Sequence, residues 1–284
     1  MSVDHYENFP VASILCPPAL RPAVAAIYHF ARTADDIADE GDAPPGQRLA
    51  DLAAYRVDLA AARKGDTTSV RWPQVFGPLR QVLVSRSLPV ELLTDLLSAF
   101  EQDVVKTTYA DRTELLDYCR RSANPVGRLL LHLYGVGGAP ALRQSDAICT
   151  ALQLANFWQD LSVDTARGRL YVPASDCARR AVAADALLAQ RDAPNVRALV
   201  ADMVDWATDS MLAGAPLVHA IPGRAGWELR LVLQGGLRIL EKITAMEFAT
   251  LQSRPKLRWY DAPLLVWRAL WMRAPRIVIA SESA

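Results

Sequence analysis

Four carboxylates, Asp35, Asp36, Asp39 and Glu40, crowd the end of "ARTADDIADE" (31–40), overlapping the apolar run "AVAAIYHFA" (23–31). If the stretch is helical, Asp35 and Asp39 share a face. The same face carries Arg32 and Tyr28, all four within an arc of roughly 60°. Their neighbours Ala26, Ile27, Phe30, Ala34 and Ile37 are small or apolar, so the polar stripe runs along a helix that is otherwise buried. A second stripe lies in "ICTALQLANFWQDLSVD" (148–164), where Gln153, Asn156, Asp160 and Asp164 again fall on one narrow face. One acidic pair at i,i+4 is an ordinary solvated helix face. Two acidic stripes on apolar helices are not, because buried carboxylates repel one another unless a cation lies between them. An oxygen-only donor set without histidine suits several Mg²⁺ ions that also bind a phosphate ligand. Arg167 and Arg169 follow at once in "RGRLYVP" (167–173), and a guanidinium fork matches polyphosphate oxygens.

The elements that must carry these residues read as helices. Apolar residues recur at spacings of three and four, and alternating β-branched runs are almost absent, which predicts an all-α fold in a single domain over 1–284. Breakers at 40–47, 64–73, 135–141, 190–195 and 220–226 have loop lengths rather than linker lengths. A helix over 113–134 should be kinked where Pro125 frees the Arg121 carbonyl, and Gly127 beside the kink could let a substrate approach the backbone. "GGAP" (137–140) reads as the end of that helix. A last amphipathic helix is expected at about 263–273, with Leu264, Trp267, Leu270 and Trp271 on one side and Arg268 and Arg273 on the other. Such a helix can rest on an anionic membrane surface or pack on the core.

Composition removes other classes. In 284 residues, 51% are hydrophobic and 22% charged, and Lys+Arg equal Asp+Glu at 31 each, so no basic excess points to nucleic acid. Cys16, Cys119, Cys149 and Cys177 have no zinc spacing and read as core residues in a reducing compartment. No signal-peptide pattern and no apolar run of spanning length are present, which places the chain in the cytoplasm, with peripheral contact at the inner face of the membrane where the last helix reaches it. "GVGG" (135–138) follows helix-like sequence rather than a strand, so no NADPH site is expected.

A helical cavity, Mg²⁺ and a diphosphate together suit ionisation of a prenyl diphosphate. Metals and arginines stabilise the leaving group, and apolar walls keep water from the cation. Phe9, Phe30, Phe100, Phe157 and Tyr134 are candidate aromatic faces for that cation.

Through "YHFARTADDIADE", "YCRRSANPVG" (118–127) and "LQLANFWQDLSVDTARGRLYVP" (152–173), in that order, residues 4–260 resemble the squalene/phytoene synthases of the isoprenoid synthase fold. The resemblance implies a helical bundle with a central cavity. It implies metal binding by Asp35 and Asp39 and by Asn156, Asp160 and Asp164. His5, Tyr28, Arg32, Arg167 and Tyr171 match positions that line the diphosphate region, with Gln159 standing where condensing members tend to carry Arg. "HYENFPVAS" (5–13) and "SANPVG" are similar to the branch in which presqualene diphosphate is ionised and water captures the cation, giving hydroxysqualene. That implies a presqualene diphosphate synthase upstream and a separate reductase downstream. The alternatives are a head-to-head condensing synthase and a non-catalytic relative acting as an assembly factor.

Overall fold

Proline in the first turn starts helix after helix, because its missing N–H has no intrahelical partner there in any case. The computed structural model describes residues 16–272. Among them the elements are α1 (Arg21–Asp39), α2 (Pro45–Lys64), α3 (Pro73–Ser85), α4 (Val90–Val105), α5 (Arg112–Ser122), α6 (Asn124–Leu133), α7 (Ala139–Gln159), α8 (Leu161–Ala166), α9 (Ala174–Arg179), α10 (Ala184–Leu188), α11 (Pro194–Gly214), α12 (Leu217–Ala220), α13 (Gly223–Ala245) and α14 (Ala262–Leu270). A 3₁₀ turn, Trp259–Asp261, leads into α14. No strand occurs among the described residues, and the fold is all-α as expected.

α7 is the hub, packing against α5, α6, α11, α12 and α13. Two of its neighbours meet it at a glycine. A Cβ on Gly214 of α11 would lie 2.5 Å from Ile148 Cγ1 and 2.6 Å from the Gln144 carbonyl oxygen. A Cβ on Gly127 of α6 would run into the side chains of Ser145 and Cys149. Gly127 therefore sets the α6–α7 approach as well as bordering the cavity described below.

Three apolar clusters fill the interior. One joins α1 to α4 around Phe30, Tyr55 and Phe76. A second gathers Trp158, Leu199, Met203 and Ile243 from α7, α11 and α13. The third, with Leu131, Ile148, Met211 and Leu233, lies between α6, α7, α11 and α13.

Several local expectations change. The helix expected over 113–134 is two helices, broken at Ala123, with Pro125 in the first turn of α6. A proline there costs no hydrogen bond, so the chain turns a corner instead of kinking. "GGAP" opens α7 rather than closing α6: Gly138 is its N-cap at φ 93° and Pro140 lies in its first turn. The second acidic stripe does not run along one unbroken helix either, since α7 stops at Gln159 and α8 restarts at Leu161. The four-residue step survives the break, because Asp160 N–H donates to Asn156 O and Asp164 N–H donates to Asp160 O, both at 2.9 Å.

Gly214→Ala should lower the unfolding free energy by about 1–3 kcal/mol, the usual cost of overpacking. Gly46→Ala, with nothing within 4 Å, should leave it unchanged or slightly raised. Urea denaturation of the two variants checks the contrast.

Candidate active site

Two helices bring the acids together. α1 carries Tyr28, Arg32, Asp35 and Asp39 along one face, and the α7–α8 junction carries Asn156, Asp160 and Asp164. A third contribution follows from a short parallel pairing of the α4–α5 loop with the segment after α8. Leu170 N–H donates to Thr107 O at 2.7 Å and Ala174 N–H to Tyr109 O at 2.9 Å. This pairing holds Arg169 and Tyr171 beside Asp103, near the C-terminal end of α4. Asp103 Oδ2 accepts from the Tyr118 hydroxyl at 2.8 Å. Its Oδ1 is buried and has no hydrogen-bond partner.

Arginines hold the carboxylates. Arg32 pairs with Asp35 at 3.2 Å and with Asp36 at 2.7 Å. Arg167 Nη1 reaches Asp39 Oδ2 at 3.1 Å, and Arg169 Nη2 donates to Asp39 Oδ1. Arg254, from the loop after α13, forks onto Asp160, with Nη2 donating to Oδ2 at 3.0 Å and Nε to Oδ1. Charge is still in excess. Burial, together with Asp39, Asp36 and Glu40, raises the Asp35 carboxyl to about 6 despite Arg32. Burial and the nearby Asp160 raise Asp164 to about 7, and Asp39 adds to the effect from across the site. Burial likewise lifts Asp103 to about 7, with Asp35 and Asp39 adding to it. Burial also raises Asp160, against the pull of Arg254.

These groups fit hard divalent cations. All the donors are oxygens, their negative charge is incompletely neutralised, and one buried carboxylate oxygen has no partner. Among the described residues no three of the acids already converge on one point, and arginines engage Asp35, Asp39 and Asp160.

An apolar cavity of about 370 Å³ lies behind this site. Tyr28 and Ala31 of α1, Leu130 of α6 and Cys149 and Leu152 of α7 are among its walls. Its polar lining includes the Cys16 thiol and Tyr134 hydroxyl, which are in hydrogen-bond contact; burial raises both, and nearby Glu228 adds to it.

Some expected site residues lie elsewhere. Gln159 is buried, and its Nε2 donates to Pro255 O at 2.7 Å. It faces the 254–258 loop rather than a diphosphate, and through that bond it helps place Arg254. Gln153, Asn156 and Gln159 do not line the cavity. Phe30 is sealed inside the α1–α4 core, Phe100 packs against the same core, and Phe157 stacks on Tyr171 at 3.9 Å, so Tyr134 is the one described member of the proposed aromatic set that faces the cavity. His5 and Phe9 lie outside the described residues. Asp103, Tyr118, Arg254 and Glu228 were not singled out from sequence. Asp103, an acid among the apolar residues of α4, carried a weak signal. Arg254, a cation in a loop 94 positions from its partner, carried none.

Residues 3–261 match the squalene/phytoene synthase family model. The chain belongs to that family. Hydroxysqualene synthase of Zymomonas mobilis is 40% identical over 170 residues, which cover 59% of this chain but only 54% of that relative. Presqualene diphosphate synthase of Rhodopseudomonas palustris is 30% identical over 260 residues, covering 88% of each chain. The solved structure of squalene synthase HpnC from Alicyclobacillus acidocaldarius superposes with a TM-score of 0.79 at 38% identity, covering 86% of this chain and 90% of that one. A dehydrosqualene synthase at 21% identity and TM-score 0.76 shares the fold.

The raised carboxyls have a consequence for this family member without metal. Asp35, Asp103 and Asp164 hold protons in the folded state at pH values where the unfolded chain, near the ordinary value of 3.8, has lost them. The folded state then binds more protons, so stability falls as pH rises from about 4 to about 7. Melting temperature in EDTA should decline from about pH 4 to about pH 7. Asp103→Asn, which keeps an acceptor for Tyr118, should flatten the decline. A profile that rises across that range contradicts the charge excess.

Proposed function

We propose that this chain ionises presqualene diphosphate and lets water capture the rearranged cation, releasing hydroxysqualene and diphosphate. The observation that carries the reading is shared helices. α1 and α7 wall the apolar cavity along their middles and carry the acids near their C-terminal ends. Tyr28 at the cavity and Asp35 on the same face are separated by about 10 Å of helix. A diphosphate held at the acids therefore points its hydrocarbon into the cavity. The likeness to hydroxysqualene synthases supports the product class.

Arg32, Arg167, Arg169 and Arg254 bind diphosphate oxygens in this scheme and, in doing so, release the carboxylates they now hold. Asp35, Asp39, Asn156, Asp160 and Asp164 would hold Mg²⁺, which would supply charge stabilisation to the departing diphosphate. Tyr28 stands where the reacting carbon leaves the diphosphate. The apolar walls exclude bulk water while the cyclopropane opens. One water then forms the C–O bond and loses a proton. The corner of Tyr134 and Glu228 accepts that proton. The balance needs no reductant, so NADPH is not consumed, and the substrate comes from a presqualene diphosphate synthase.

The second reading is a condensing synthase, favoured by the likeness to presqualene diphosphate synthase over 88% of that relative. Against it stands Gln159, an uncharged side chain committed to Pro255 O.

Asp35→Ala and Asp160→Ala should each lower turnover roughly 100- to 1000-fold with the helical circular-dichroism spectrum retained, and EDTA should abolish turnover. Full activity in EDTA contradicts the metal assignment. Incubation with presqualene diphosphate in H₂¹⁸O should yield a labelled alcohol, and Glu228→Gln should divert product toward a hydrocarbon formed by proton loss. Efficient conversion of farnesyl diphosphate alone to presqualene diphosphate or squalene would establish the condensing reading instead.

A further inference from the structure

The C-terminal side of the fold carries an aromatic face that no part of the site uses. Trp259 is 85% exposed, Trp267 and Trp271 each 59%, Tyr260 56% and Leu270 53%. Trp267 and Trp271 are in ring contact at 5.4 Å, and Trp259 meets Tyr260 at 5.9 Å. Three of the chain's seven tryptophans thus stand on α14 and its lead-in turn. The helix is not loosely attached. Arg268 pairs with Glu241 of α13, Ala269 is fully buried, and Arg230 Nη1 donates to Ala269 O at 3.4 Å. Arg268 faces α13 and the aromatic residues face away from it, as the sequence pattern predicted. Arg273 lies outside the described residues.

Charge sets the kind of surface this face fits. Between positions 254 and 276 the sequence holds Arg254, Lys256, Arg258, Arg268, Arg273 and Arg276 against one acid, Asp261, in a chain whose charges balance overall; of these, Arg254 is paired with Asp160 and Arg268 with Glu241. Asp261 is buried and bound by Arg238 and Lys242, so it offers no exposed negative charge. Lys256 and Arg258 are exposed beside Trp259. Tryptophan and tyrosine with flanking cations are the composition of a headgroup-level contact with anionic lipid. α14 has nine residues, about 14 Å of helix, against a hydrocarbon core of about 30 Å. No helix among the described residues is long and apolar enough to cross a membrane.

Position ties this face to the cavity. α14 packs on α13, whose Leu229 and Val232 line the cavity. Met272, just past α14, packs into the cluster that contains the cavity residues Leu131, Ile148, Leu217, Ile221 and Ala225. The cavity wall and the aromatic face are thus one helix layer apart.

We propose that residues 256–272 dock the protein on an anionic lipid bilayer, lying in the headgroup layer with Trp259, Trp267 and Trp271 inserted. Docking sets the apolar cavity against the phase that dissolves a prenyl hydrocarbon. The value of that placement rests on the function proposed above, but the docking itself does not.

The test is flotation of the full chain with phosphatidylcholine vesicles, with and without phosphatidylglycerol. It is repeated for the variant carrying Trp259→Ala, Trp267→Ala and Trp271→Ala. Unchanged melting temperature shows that the exposed substitutions leave the fold intact. Wild type should float with the anionic vesicles and much less with neutral ones, and the variant should lose about tenfold or more of its binding. Absence of flotation by wild type overturns the proposal, as does equal flotation by the variant. A dimer in light scattering that the variant loses, without vesicle binding, assigns the face to a second copy and also overturns it. Turnover of presqualene diphosphate in detergent is read separately: the variant should keep it. Its absence in both proteins would overturn the proposed function and leave the flotation result standing.

Discussion

Excess negative charge, held in place by arginines, governs this site. Five carboxylates gather here from α1, α4 and the α7–α8 junction; burial raises Asp35, Asp103, Asp160 and Asp164, and neighbouring acids add to the rise of Asp35, Asp103 and Asp164. Arg32, Arg167, Arg169 and Arg254 engage three of the five, Asp35, Asp39 and Asp160. An arrangement of this kind is stable without ligand yet open to exchange, since a diphosphate competes for the arginines and a divalent cation for the acids. Each exchange favours the other, because removing an arginine leaves its carboxylate uncompensated.

The rest of the fold delivers that balance to one end of an apolar cavity. Close crossings at Gly127 and Gly214 let α6 and α11 approach α7. The pairing of residues 107–110 with 170–175 brings Arg169 and Tyr171 to Asp103. Gln159 reaches Pro255 and so holds the loop that presents Arg254.

The legible part of this was periodic. Asp35 and Asp39, four apart on an apolar helix, could be placed on one face with Tyr28 and Arg32, and the all-α fold followed from the same three-and-four spacing. α14 was legible for the same reason, ending three residues before the expected boundary. What periodicity could not supply was contact between elements. Asp103 needs the α4–α5 loop to pair with the segment after α8, and Arg254 needs a chain reversal after α13. The break at Ala123 was misread because the same proline that kinks a helix interior also starts a new helix. The contact of Gln159 with Pro255 O could not be read from sequence, because a polar residue on an acidic motif can as well face a neighbouring backbone carbonyl.

Calorimetric titration of Mg²⁺ into metal-free protein, with and without inorganic diphosphate, tests the exchange most directly. If a diphosphate draws away the arginines that engage Asp35, Asp39 and Asp160, Mg²⁺ alone should bind weakly and diphosphate should strengthen it by about tenfold or more, with the reciprocal effect on diphosphate affinity. Equal Mg²⁺ affinity in the presence and absence of diphosphate would contradict the account.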